Sequence, residues 1–410
     1  MENEAINTTS PRHERKRFQP FLSYRMGPDS KHLDVLDGVR ALCVLLVGWF
    51  HIWQQSWLSP RFEVLGEEIS LDFLLRSGYL WVDGMLLLSG FLLYLPYAEK
   101  KKSPSIGAFY RRRLIRIVPS YLLCVIPLFI LACVRGEYVS LRDALADLIP
   151  HLTFTHTFFR RSYQMTALNG ALWTLGVEMQ FYLLFPFLAR AFKKQPVLTW
   201  AAMAGAAFGF RYWVSKQADM GMYFNQLPAF LDVYANGFAA SSLYVFLRKQ
   251  LDRAFWKNRA RFFLLRAGFT AVCCMGVYLL YIIAQHQAAA PVIQQGQMDR
   301  RFPLSLALCV VMVGAAFALP PIRFALGNSL MRLLSAISFQ FYIWHQWIAV
   351  KLKEWNIPYS SFPEPNQQDE PWRLPYTLLC FAAAIAAAAL ITWCFERPIA
   401  RKLRSRIKGS

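Results

Sequence analysis

The chain has 410 residues, of which 56% are hydrophobic, 16% aromatic and only 17% charged, against about 25% charged in ordinary globular proteins. Too little polar surface remains to cover so much apolar volume in water, so a soluble multidomain protein is excluded and a polytopic membrane protein is expected. The net charge of +20 would suit nucleic acid, but Lys and Arg fall in short clusters between long apolar runs, as in cytoplasmic loops facing anionic lipid, so no nucleic-acid partner is expected.

Met1 to Lys31 is polar, Arg-rich and without an apolar core, so it does not read as a signal peptide, and the first span is expected to be an uncleaved anchor. Residues 1–34 are assigned to a cytoplasmic N-terminal tail, 35–396 to a transmembrane bundle and 397–410 to a basic cytoplasmic tail. Apolar segments near the ~20 residues needed to cross a bilayer lie at 35–57, 73–98, 117–135, 172–190, 197–214, 228–247, 262–284, 303–319, 331–352 and 375–396. With the N-terminus inside, the segments on its side of the membrane carry 31 Lys and Arg and those opposite carry 13, while Arg40 lies within a span. The expected fold is therefore an all-α bundle of about ten transmembrane helices, multi-pass in the cytoplasmic membrane, with both termini cytoplasmic. The eight cysteines show no zinc-ligand spacing and read as packing residues, so no metal is expected.

Ionisable groups inside spans are costly to bury and mark function or internal pairing. In the first span Arg40 and His51 are eleven residues apart; at 100° per residue they share one face, about 16 Å apart. Trp49, Trp53 and Trp57 form an i, i+4, i+8 stripe expected roughly opposite, toward lipid or the outer interface. Asp83 in the second span is placed near the midplane. Ahead of the third, Arg113 and Arg116 are i, i+3 neighbours, with Arg111 and Arg112 beside them. Arginine forks at a helix start suit the phosphates of a cytosolic donor.

The longest outer segment, 136–171, is apolar but broken by Pro150 and is expected to lie in the interface or dip into the bundle, with His151 and His156 as interface residues. Glu178 lies about 9 Å from the outer end of its span, with Tyr182 one turn along. Asp232 is expected near the outer mouth. His345 and His51 lie about 20 and 24 Å from the inner ends of their helices, so both are expected to converge with Glu178 in the outer half.

Several segments, in order, resemble the acyltransferase 3 family of membrane O-acyltransferases. LDGVRALCVLLVGWFH, YLWVDGMLLLSGFLL, YRRRLIRIVPSYLL, ALWTLGVEMQFYLLFPFL, ISFQFYIWH and FERPIARKL carry the likeness across roughly residues 33 to 402. The resemblance implies ten spans, an acyl-CoA donor (usually acetyl-CoA, a substrate rather than a bound cofactor) and a carbohydrate or other hydroxylated acceptor. It places an Arg-x10-His pair on Arg40 and His51 and a donor-binding Arg pair on Arg113 and Arg116. Met179 stands where the family often has a second carboxylate, which leaves a paired-carboxylate role without its partner. The extracytoplasmic SGNH-type domain fused to some members is not expected.

Together these readings assign His51 as general base, with Arg40 and Glu178 as its catalytic companions and Arg112 assisting Arg113 and Arg116. Asp83, Tyr182 and His345 are assigned to a supporting polar network. An ordinary imidazole pKa near 6.5 suits such a base; an acyl-histidine intermediate is the alternative chemistry. The alternative function is a proton-coupled secondary transporter with His51, Glu178 and His345 as its relay. No internal repeat supports that carrier, and it has no need of the arginine loop.

Overall fold

The computed structural model describes residues 33–99, 105–251 and 259–408; the expected N-terminal tail lies outside these residues except for its last two positions. The long helices are α1 (Asp34–Ser56), α2 (Trp81–Glu99), α3 (Ile106–Val134), α4 (Leu141–Leu152), α5 (Trp173–Lys194), α6 (Pro196–Val214), α7 (Leu231–Gln250), α8 (Arg259–Ala288), α9 (Ile293–Phe317), α10 (Ser329–Glu354), α11 (Glu370–Ile391) and α12 (Arg397–Lys408). Eight helical segments of the described residues are long and apolar enough to cross a membrane, from Asp34–Ser56 to Glu370–Ser405, so the chain is a multi-pass membrane protein. Helices also occupy the expected fifth and ninth spans, α6 and α10, with 19 and 26 residues; each can bridge a hydrocarbon core of about 30 Å, but their polar residues set them apart from the other eight.

Several boundaries differ from the sequence reading. The second long helix begins at Trp81, after a short helix at Asp72–Arg76 and a turn at Gly78–Leu80. The third begins at Ile106, so the whole arginine cluster is helical. The expected eighth span, α9, begins at Ile293 rather than near 303. The expected C-terminal tail is helical over Arg397–Lys408, joined to α11 by a π turn at Thr392–Glu396. The chain is also not wholly helical: Arg61–Val64 and Glu67–Ser70 pair as an exposed antiparallel hairpin. Its turn places both Leu65 and Gly66 at positive φ, the geometry that matches strand twist in a two-residue loop.

Helix α1 starts with Asp34 and Asp37 in its first turn, where carboxylates favour the positive end of the helix dipole, and runs without a break to Ser56. It packs along α10, and Gly48 allows the close approach: a Cβ there would lie 2.5 Å from the Phe341 ring. The α2–α7 contact is similarly tight, since a Cβ on Gly237 would meet the Leu87 carbonyl oxygen at 2.7 Å. Rings of Tyr94, Phe181, Phe185, Tyr234 and Phe238 fill the core between α2, α5 and α7.

The 136–171 segment folds into a cap over the end of the bundle remote from the arginine cluster. Its buried carboxylate, Asp147, accepts hydrogen bonds from Thr166 Oγ1 (2.9 Å) and the Ala167 amide (3.0 Å). Arg161 binds Asp143 and holds that carboxyl below its usual range. His151 and His156 are not interface residues: both are buried, stacked 4.4 Å apart, and His156 Nε2 donates to the Leu172 carbonyl at 3.1 Å.

Candidate active site

Two cavities lie along one stripe of α1. The nearer to the arginine cluster, about 150 Å³, is lined by Arg40 and Val44 of α1, Arg113 and Arg116 of α3, and Glu178 and Tyr182 of α5. The second, about 480 Å³, is lined by Val47 and His51 of α1, with Trp53, Tyr79, Trp173 and polar groups of α9. Positions 40, 44, 47 and 51 are spaced i, i+4, i+7 and i+11, so a single helical face runs from one cavity into the other. Val82 and Tyr342 line both cavities and form the wall between them. The expected Arg40–His51 phase is therefore present. The tryptophan stripe is not wholly turned away, because Trp53 lines the His51 cavity and only Trp57 is exposed.

The basic cavity holds three guanidinium groups against one carboxylate. Arg113 lies 5.7 Å above the Tyr182 ring, and its Nε is buried with no hydrogen-bond partner among the described residues. Glu178 accepts hydrogen bonds from Ser89 Oγ (2.9 Å) and the Tyr182 hydroxyl. Arg112, expected beside Arg113, is exposed and does not line the cavity, because it lies a full 100° round the helix from its neighbour.

His51 has a different partner from the one expected. Its Nδ1 lies 2.7 Å from His345 Nε2, and His345 Nδ1 lies 3.0 Å from the Phe341 carbonyl. A carbonyl only accepts, so with both rings neutral the chain of bonds fixes both tautomers. His345 carries its proton on Nδ1, and His51 donates from Nδ1 to His345 Nε2. The lone pair of His51 is then on Nε2.

Glu178 does not join this pair. The Thr174 hydroxyl is bonded to the Tyr342 hydroxyl at 2.9 Å. Glu178 is one turn from Thr174 toward the basic end, and His345 nearly one turn from Tyr342 the opposite way, so about 10 Å of helix rise separates them. The start of α5 is itself recessed: Asn169 caps the short turn Gly170–Leu172 that leads into it, accepting from the Ala171 amide, and donates to the Ile343 carbonyl at 2.7 Å, within α10.

Asp83 lines neither cavity. It is fully buried, 3.5 Å from Arg301 Nε, and Arg301 also binds the Asn225 side chain (2.7 Å) and sits 3.9 Å over the Phe230 ring. Asp232, expected near the mouth, is buried in a two-pronged pair with Arg211 at 2.9 and 2.6 Å. Neither arginine stands out as a partner in the sequence, since each lies on a different helix from the carboxylate it meets. Asp232 and Arg211 each sit inside an apolar run, and such charges are usually paired.

Residues 33–393 match the family profile described as an acyltransferase domain, acyltransferase 3. Among curated relatives, the O-acetyltransferase OatA of Staphylococcus aureus is 29% identical over 185 residues, 41% of this chain and 27% of the relative. The acyltransferase MdmB of Streptomyces mycarofaciens is 29% identical over 44% of this chain and 46% of its own length. The peptidoglycan O-acetyltransferase OatA of Listeria monocytogenes is 28% identical over 40% and 25%. The matched stretch thus spans less than half the length of each relative. No solved structure matches.

Proposed function

The chain belongs to the acyltransferase 3 family, so its chemistry is acyl transfer, and we propose that it moves an acetyl group from cytosolic acetyl-CoA to a hydroxyl of a carbohydrate acceptor on the far side of the cytoplasmic membrane. The observation that carries this reading is the pair of cavities on one face of α1, the first rich in guanidinium groups and the second holding a histidine with a free Nε2. Ten spans with both termini cytoplasmic put the arginine cluster on the cytosolic side. The names of two relatives, O-acetyltransferase and peptidoglycan O-acetyltransferase, favour acetyl as the group and a cell-envelope sugar as the acceptor.

In this scheme Arg113 and Arg116 hold the phosphates of CoA, a pairing suited to planar forks. Arg40, deeper in the same cavity, meets the donor's polar arm, and Glu178 with Tyr182 sets the position of that cavity's charges. The pantetheine arm carries the thioester past Val82 and Tyr342. His51 Nε2 takes the proton of the acceptor hydroxyl as its oxygen attacks the thioester carbonyl. The new C–O bond forms, the C–S bond breaks, and the proton passes from the His51 imidazolium to the departing CoA sulfur. Positioned base catalysis of this kind contributes about 10²–10⁴-fold. The proton-coupled carrier finds no support in the family.

The test is mass spectrometry of cell-envelope glycans and secreted metabolites with and without the gene. The acetyl increment should disappear on deletion and return with the wild-type gene, but not with His51→Ala. Identical profiles in all strains would refute the reading.

A further inference from the structure

One buried amide in the wall of the His51 cavity has no hydrogen-bond partner among the described residues. Gln297 lies one turn before Arg301 on α9, is 4% exposed, and lines the cavity, yet its side chain makes no hydrogen bond to any described residue. The other buried amides of the wall are engaged. Gln287 bonds Tyr79 and Arg300, and Asn225 accepts from Arg301. With no such partner and no atom sealed away from the cavity, the Gln297 amide is available to bond what enters there. Rings of Trp53, Tyr79 and Trp173 supply flat apolar faces in the same cavity; no carboxylate lines it, and Arg76 is its one lining cation among the described residues.

We propose that Gln297 is an acceptor-binding residue, whose amide hydrogen-bonds a hydroxyl-bearing part of the acceptor and turns one hydroxyl toward His51 Nε2. The proposal rests on the acyl-transfer reading above. Arg301 acts behind it as a positioning residue, tying Asn225 and the Phe224 carbonyl to the buried Asp83 and so fixing the opposite wall.

Gln297→Met tests the assignment, since methionine has similar length and volume and no hydrogen-bonding amide. Three quantities are measured on the full-length protein: thermal unfolding in detergent, acetyl-CoA binding by calorimetry, and base-labile acetate transferred to native envelope in membranes. The melting temperature should hold or rise, because no bond within the protein is lost, and acetyl-CoA affinity should stay within about twofold. Acetate transfer should fall roughly five- to tenfold, the loss of about one neutral hydrogen bond. Unchanged transfer would overturn the assignment, and so would a lowered melting temperature that accounts for the lost transfer, which would make Gln297 structural. If wild-type protein neither binds acetyl-CoA nor transfers acetate, the acyl-transfer reading fails and this assignment with it.

Discussion

His345 offers the sharpest test of how the site works, because its expected effect is intermediate and specific. Removing its ring in His345→Ala deletes the acceptor for His51 Nδ1–H, the 2.7 Å bond. The His51 imidazole is then free to carry its proton on either nitrogen, and the form protonated on Nε2 offers no base to the acceptor. One neutral hydrogen bond contributes about 0.5–1.5 kcal/mol net, so kcat should fall roughly tenfold. Removing the base outright in His51→Ala should reduce it by about 10²–10⁴-fold. His345→Gln places an amide oxygen near the position of His345 Nε2 and should recover most of the activity. The assay is CoA thiol release in native membranes at saturating acetyl-CoA, with purified variants checked for thermal stability. Should His345→Gln prove as impaired as His345→Ala, or His345→Ala be silent, the tautomer argument is wrong.

Three further outcomes are expected. Arg113→Ala and Arg116→Ala should each raise the acetyl-CoA KM by roughly 10- to 100-fold, as expected for bonds to a charged group worth about 1.5–3 kcal/mol, whereas Arg112→Ala should change it little; equal effects at all three would argue against a cavity-bound donor. Arg211→Met should destabilise the protein by about 3–5 kcal/mol by leaving Asp232 buried and unpaired, and Arg211→Met with Asp232→Leu should recover much of that; additive losses in thermal unfolding would contradict the pairing. In the cap, burial and then the neighbouring His151 push the His156 imidazole down to about 3. Its folded pKa lies below the unfolded value near 6.5, so the unfolded chain binds the extra proton and stability falls as pH drops from about 6.5 toward 3. At pH 5 this amounts to about 2 kcal/mol; His156→Phe should flatten the acid side of a melting-temperature profile, and an unchanged slope would exclude His156 as its source.

The residues that were legible in the sequence share one property: they lie on a single unbroken helix. Arg40 and His51 could be phased because α1 runs from Asp34 to Ser56 with no proline, and Arg113 and Arg116 because one turn relates them. Depth was misread for Glu178, since counting from residue 172 assumed that the helix starts at the membrane surface, whereas Asn169 anchors it part-way down α10. Pairing was not legible at all. Asp83 finds Arg301, and Asp232 finds Arg211, only through the packing of helices distant in the chain, which no local spacing reports. Gln294, Gln297 and Arg301 do form an i, i+3, i+7 stripe, but the polar run before residue 303 masks the helix that carries it.

The wall formed by Val82 and Tyr342 has a consequence for the cell as well as for the chemistry. Val82 and Tyr342, the latter tethered to Thr174, border both cavities, and in the proposed transfer they stand between the donor's side and the acceptor's. In that scheme a wall shared by the two cavities would let a small acyl group be handed over while the nucleotide carrier stays behind, with no continuous file of water across the bilayer. On that proposal, acyl transfer would cost the cell neither its coenzyme nor its proton gradient.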